Sequence, residues 1–203
     1  VIVVINANNT MELDWVDNYE QIKSVILAPG AGETGFTALG EILNGTVNPS
    51  GKTADTYVKN LLSTHYINNI GNFPYTNVDD LKAQALAADS SYKGNVSFVN
   101  YVEGIYVGYK FYETAADEGL IDYESSVQYP FGYGLSYTNF ETKAEIFKNT
   151  EDELTVAATV TNIGDVRGKE IVQVYVKAPQ GKLGNPARKL IGFAKTRELA
   201  PGE

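Results

Sequence analysis

The segment from Pro29 to Tyr57, PGAGETGFTALGEILNGTVNPSGKTADTY, limits the possible folds more than any other part of the sequence. The apolar run SVILAP leads into it, and Gly30, Gly32 and Gly35 break that run. Phe36, Leu39, Ile42 and Leu43 then recur at helical spacing, which predicts a helix over 33–44. Gly45 stands where a helix commonly ends in a left-handed residue. Asn48-Pro49-Ser50-Gly51 carries the chemistry of a tight turn, with proline fixing φ and glycine free to go positive.

Two nucleotide-binding patterns overlap this segment, and both fail on context. Gly30-Ala31-Gly32-Glu33-Thr34-Gly35 spells G-x-G-x-x-G, and Asp55 lies at about the distance of a ribose-binding acid. The residues before Asp55, NPSGKTA, are turn chemistry, whereas a dinucleotide fold needs a buried second strand there. The glycines are read instead as a close approach of backbone to backbone. Gly51-Lys52-Thr53 resembles the end of a phosphate loop, but position 46 is threonine where that loop needs glycine.

The flanks extend the pattern. VIVVIN at 1–6 reads as a fully buried parallel strand, Met11–Tyr19 as a short helix and Lys23–Ala28 as the next strand. Alternating strand and helix predict a parallel sheet with helices on its faces. Residues 57–100 read as a long decorated connection holding Leu61, Leu62, Ile67, Ile70 and Phe73. Within it a helix is expected over Val78–Ala88, capped by Asn77 or Thr76. Asp79 and Asp80 would lie in its first turn, where the helix dipole favours negative charge. Neighbours in a helix do not face each other, so they are not a catalytic pair.

After Phe140 the pattern changes. Lys143–Phe147, Leu154–Thr161, Glu170–Lys177 and Lys189–Thr196 read as short strands, with turns at 162–165 and 181–184. This spacing predicts an antiparallel sandwich.

Composition removes several kinds of chemistry. With no cysteine there is no disulfide framework, thiolate metal site or cysteine nucleophile. His65 is the only histidine, which leaves little for histidine metal clusters or Ser-His-Asp catalysis, and it reads as a surface or cap residue. A formal net charge of −9 argues against nucleic acid and anionic membrane as partners. No membrane span or leader is visible, and no metal or organic cofactor is implied. A buried opening strand and the closing turn residues LAPGE suggest that both ends are cuts in a longer polypeptide. Asn8, Asn44 and Asn95 head N-x-S/T patterns, which matter only in a secreted eukaryotic protein, so the compartment stays open.

Residues 101–140 are rich in tyrosine. YVEGIYVGYKFYE alternates like a strand but also fits a helix around Gly104–Tyr112, and Gly132 and Gly134 flank Tyr133 in a rigid aromatic turn. Such rings can stack on sugars, but packing between two domains is the expected role.

These blocks resemble glycoside hydrolase family 3. That family carries Y-x-E-G-I-x-V-G-Y-R-Y-Y followed by Y-P-F-G-Y-G-L-S-Y-T-x-F. Here the first block runs from Tyr101 to Tyr112, with Lys110 and Phe111 departing from Arg and Tyr, and the second from Tyr129 to Phe140. Asn48-Pro49-Ser50-Gly51-Lys52 with Thr56 is similar to the family's N-P-S-G-K/R and threonine. Thr159 to Tyr175 resembles the T-x-T-N-x-G-x-x-x-G-x-E-x-x-Q-x-Y mark of its fibronectin type III-like domain.

The resemblance implies a partial α/β sandwich domain over 1–138 and a truncated, all-β fibronectin type III-like domain over 139–203. It implies a parent β-glycosidase, most simply a β-glucosidase, that acts with retention using two carboxyl groups. The family's nucleophilic aspartate belongs to a (β/α)8 barrel against which this piece would pack, and its acid/base glutamate would precede Val1. No catalytic carboxylate is therefore expected here. Glu33, Asp55 and Glu103 are read as structural, with Glu103 the best candidate to buttress the active-site side. GFTALGEILNG resembles a branch with reversed domain order, which would place the barrel after Glu203. The alternative is a non-catalytic carbohydrate-binding or adhesion module.

Overall fold

The computed structural model describes residues 1–67, 73–94, 96–150 and 153–203. Ile70, Asn95, Glu151 and Asp152 lie outside the described residues. An α/β part is followed by an all-β part.

The α/β part opens with two parallel strands, β1 (Ile2–Ile5) and β2 (Ser24–Leu27), in register from Ile2 opposite Ser24 to Ile5 opposite Leu27. A 3-10 helix at Asp14–Asn18 lies between them, inside the short helix expected over Met11–Tyr19. The fully buried reading of VIVVIN needs correction. Ile5, Val25 and Leu27 pack on Leu13, Val16 and Tyr57, while Ile2 and Val4 are exposed. Successive residues of a strand point to opposite faces, and only one face of this pair is covered among the described residues.

Helix α1 (Phe36–Leu43) follows the glycine loop and stops at Gly45, whose φ is +79°. Phe36 and Leu43 remain exposed. Strand β3 (Tyr57–Val58) carries the chain across the core. Strand β4 (Phe73–Pro74), helix α2 (Val78–Ala88) and strand β5 (Ser97–Phe98) form an arm, with β4 antiparallel to β5. Helix α2 spans the expected residues with Asp79 and Asp80 in its first turn, but the Asn77 side chain makes no capping bond.

The tyrosine block resolves into turns and then helix α3 (Tyr109–Asp117), entered through Gly108 at φ +59°. No strand forms over 101–107. Helix α4 (Tyr123–Ser126) is capped by the Asp122 carboxylate, which accepts from the Ser125 N–H at 2.7 Å. Strand β6 (Val127–Tyr129) then pairs antiparallel with β3. Val58, Tyr112 and Val127 make a second core with Leu61, Phe111, Ile121 and Tyr123 around it.

The all-β part is two antiparallel pairs, β7 (Phe140–Asn149) with β8 (Leu154–Asn162) and β9 (Ile171–Val176) with β10 (Lys189–Lys195). The four strands fall where the sequence placed them.

Candidate functional site

The sequence motifs meet at a seam between the two parts. Asn48 of the NPSG turn donates from Nδ2 to the Arg167 carbonyl at 2.9 Å. Its Oδ1 accepts from Ser136 Oγ at 3.0 Å and from the Tyr137 N–H at 2.8 Å. Lys52 Nζ donates to the Gly134 carbonyl at 2.9 Å and pairs with Glu170 at 3.0 Å. Thr53 Oγ1 donates to the Pro130 carbonyl at 2.6 Å and accepts from the Tyr133 N–H at 3.0 Å. The lysine and threonine that imitate a phosphate loop are thus committed to neighbouring chain.

Asn162 is fully buried at the far side of this seam. It donates to the carbonyls of Val166 and Leu199 at 2.8 and 3.0 Å, and accepts from Thr138 Oγ1 at 2.7 Å and the Gly164 N–H at 3.1 Å. The tyrosines complete the joint. Tyr109 stacks on Phe131 at 4.7 Å and meets Tyr175 edge-on at 5.9 Å, and its hydroxyl accepts from the Leu190 N–H at 2.8 Å. Arg188 lies 5.5 Å over the Tyr175 ring and pairs with Glu113. The Glu113 carboxylate also accepts from Tyr123, whose hydroxyl is held well above its ordinary pKa, first by burial and then by that carboxylate.

Behind the seam, His65 is enclosed by aromatic rings rather than exposed as expected. It stacks on Phe111 at 4.1 Å and meets Tyr66 and Tyr112 edge-on. Neither ring nitrogen has a hydrogen-bond partner among the described residues. Burial holds its pKa below the ordinary 6.5, while the nearby Glu103 carboxylate pulls the other way. Burial also pushes the Tyr112 hydroxyl up to about 12. Phe111 is one of the two departures from the family block, and its ring is the one on which the imidazole lies flat.

Tyr66 also faces a cavity of about 400 Å³, lined by Asn8, Asn9, Thr10, Asp55, Leu61 and Tyr66. Asn8 to Thr10 follow the carboxyl end of β1. The loop after β2 abuts them, since a Cβ on Gly30 would stand 3.4 Å from Asn8 Oδ1.

A family model described as the glycosyl hydrolase family 3 C-terminal domain matches residues 1–109. The chain belongs to glycosyl hydrolase family 3. A fibronectin type III-like model matches residues 170–203. A relative named beta-glucosidase A, from Butyrivibrio fibrisolvens, is 40% identical over all of this chain and 23% of its own length. A beta-glucosidase from Ruminococcus albus is 36% identical over all of this chain and 18% of its own length. Among solved structures, a beta-glucosidase from Paenibacillus barengoltzii superposes with a TM-score of 0.77 at 32% identity, covering 100% of this chain and 19% of that one. Beta-glucosidase 3B from Thermotoga neapolitana, solved with α-D-glucose, gives 0.76 at 33% identity, covering 100% of this chain and 24% of that one. The chain spans less than a quarter of the length of each of these relatives.

Within this family 3 chain the acids singled out from sequence lie apart. Glu33 is exposed and precedes α1 outside its first turn. Asp55 lines the open depression, and the Glu103 carboxylate acts on His65 electrostatically. Sequence reading missed His65 as a buried group. The available signal was its place in LLSTHYIN, where apolar residues flank it on both sides. Among the described residues no cluster of histidine, aspartate and glutamate has metal-site geometry.

Proposed function

We propose that this chain is an accessory portion of a β-glycosidase, a β-glucosidase in the simplest case, that hydrolyses O-glycosidic bonds with retention of configuration. The observation that carries this reading is the likeness of the whole chain to relatives named as beta-glucosidases. The boundary falls at 138/139, between a partial α/β sandwich domain and a truncated fibronectin type III-like domain. The chain forms one wall of a cleft whose floor is a (β/α)8 barrel elsewhere in the polypeptide. Retention calls for two carboxyl groups, one as nucleophile and one as acid and then base. Both lie outside this chain, and Glu103 supports the wall from behind through the His65 cluster.

The test is hydrolysis of an aryl β-glucoside by the 203-residue chain and by its longer parent. The expected result is turnover by the parent and none by the chain. Turnover by the chain alone would place the catalytic carboxylates within it. No turnover by either would overturn the glycosidase reading.

A further inference from the structure

The end of helix α1 carries a chemically reactive pair. Asn44 and Gly45 form the only Asn-Gly sequence in the chain, and every other asparagine is followed by a residue with a side chain. Asn44 stands just past α1 at φ −88° and ψ −2°, and Gly45 follows at φ +79°. Asn44, Gly45 and Thr46 are all exposed. Apart from the two chain neighbours, no atom lies within 4 Å of where a Cβ on Gly45 would stand. The Gly45 nitrogen is thus open to the one side chain beside it.

The hydrogen bonds here favour attack by that nitrogen on the Asn44 side-chain carbonyl. The Thr46 N–H donates to Asn44 Oδ1 at 2.9 Å. It sits on the oxygen that takes up negative charge when Cγ is attacked, and a donor already in place there lowers the barrier. The Gly45 N–H donates to the Ile42 carbonyl at 3.0 Å and must leave it before the nitrogen can react. The Tyr137 hydroxyl donates to the same carbonyl at 2.9 Å, so Ile42 keeps a partner when Gly45 lets go. The penalty of an orphaned acceptor is thereby avoided.

We propose that Asn44 is a site of spontaneous deamidation whose conversion loosens the seam between the two parts. The Gly45 nitrogen forms a bond to Asn44 Cγ and gives up its proton. The Cγ–Nδ2 bond breaks, and Nδ2 leaves with a proton as ammonia. Water then opens the five-membered imide at either carbonyl. Opening at Cγ leaves an aspartate, and opening at the main-chain carbonyl leaves an isoaspartate. The net change in both cases is a water consumed and an ammonia released. Both products place a carboxylate beside the last carbonyls of α1, at the negative end of the helix dipole. The isoaspartate also lengthens the main chain by a carbon, a few residues before Asn48. Asn48 is bonded to the Arg167 carbonyl, Ser136 and the Tyr137 N–H, so the added carbon acts on that joint.

The test is incubation of the folded 203-residue chain in mildly alkaline buffer, beside a peptide of residues 40–50 that reports the rate free of the fold. Peptide mapping by mass spectrometry and enzymatic methylation of isoaspartate locate and quantify the product. In the folded chain Asn44 is expected to convert at least about ten-fold faster than Asn18, an exposed asparagine followed by tyrosine, and within about ten-fold of the peptide. Asn44→Gln, which would need a six-membered ring, is expected to lose the conversion and keep the wild-type urea midpoint. The converted chain is expected to unfold at a lower urea midpoint and to show a shifted Tyr137 amide signal by NMR. An intact Asn44 after the peptide has converted would overturn the proposal, because the helix end would then protect the site. Equal conversion at Asn18 would overturn it, as would a converted chain whose midpoint and Tyr137 signal are unchanged.

Discussion

Lys52 Nζ lies 3.0 Å from Glu170 Oε1, joining the NPSG turn to the start of β9, and the two side chains are only 17% and 20% exposed. The same ammonium donates to the Gly134 carbonyl, so one cation ties three motifs together. Removing one partner leaves the other poorly solvated. Lys52→Met is expected to destabilise the chain by about 2 kcal/mol, with a smaller loss for the double variant Lys52→Met/Glu170→Leu. Urea unfolding of the two single variants and the double variant checks this.

The surface pair Lys177–Asp117 is the opposite case. Its side chains are 74% and 53% exposed, and the Nζ–Oδ2 distance of 3.1 Å is as good as that at Lys52. Water screens it, so Lys177→Ala is expected to shift stability by less than about 0.5 kcal/mol in the same urea measurement. A larger loss would mean that distance, not burial, sets the strength of these pairs.

Asn162 has no exposure, and its side chain makes four hydrogen bonds. Asn162→Ala removes all four of these bonds and leaves the buried Thr138 hydroxyl without its acceptor. It is expected to cost about 3 kcal/mol, seen as a lower urea midpoint together with faster amide exchange around Gly164 and Leu199.

His65 makes stability depend on pH. Its folded pKa lies below the ordinary 6.5 because burial disfavours the imidazolium. The unfolded chain therefore binds more protons as pH falls below about 6.5, so stability is full above that pH and declines toward the folded pKa. Glu103 softens the decline without reversing it. His65→Phe keeps an aromatic ring on Phe111 and removes two unpartnered nitrogens. Its urea midpoint is expected to exceed that of the wild type at about pH 5 and to approach it at about pH 8.

Gly134 sets the closeness of the seam. A Cβ there would collide with the Gly51 carbonyl oxygen, which is backbone and cannot swing aside. Gly134→Ala is expected to cost about 2 kcal/mol by calorimetry, more than Gly181→Ala, where open space surrounds the added carbon.

Local chemistry was enough to place the helix stop at Gly45, helix α2, and the four strands β7 to β10. Each depends on neighbours a few residues away: a left-handed glycine, a run of good helix formers, alternating side chains between turns. The family blocks were equally legible, because they are contiguous. Long-range partners were not. Lys52 looked like a phosphate-loop lysine until Gly134 and Glu170 were beside it, and His65 looked like a surface residue until Phe111, Tyr66 and Tyr112 enclosed it. The cavity around Asp55 is likewise built from three separate stretches of chain. Most elements and the family were written in local pattern, which a sequence carries directly. Which polar groups hold the two parts together emerged in the folded chain alone, because that depends on contacts between residues far apart in the chain.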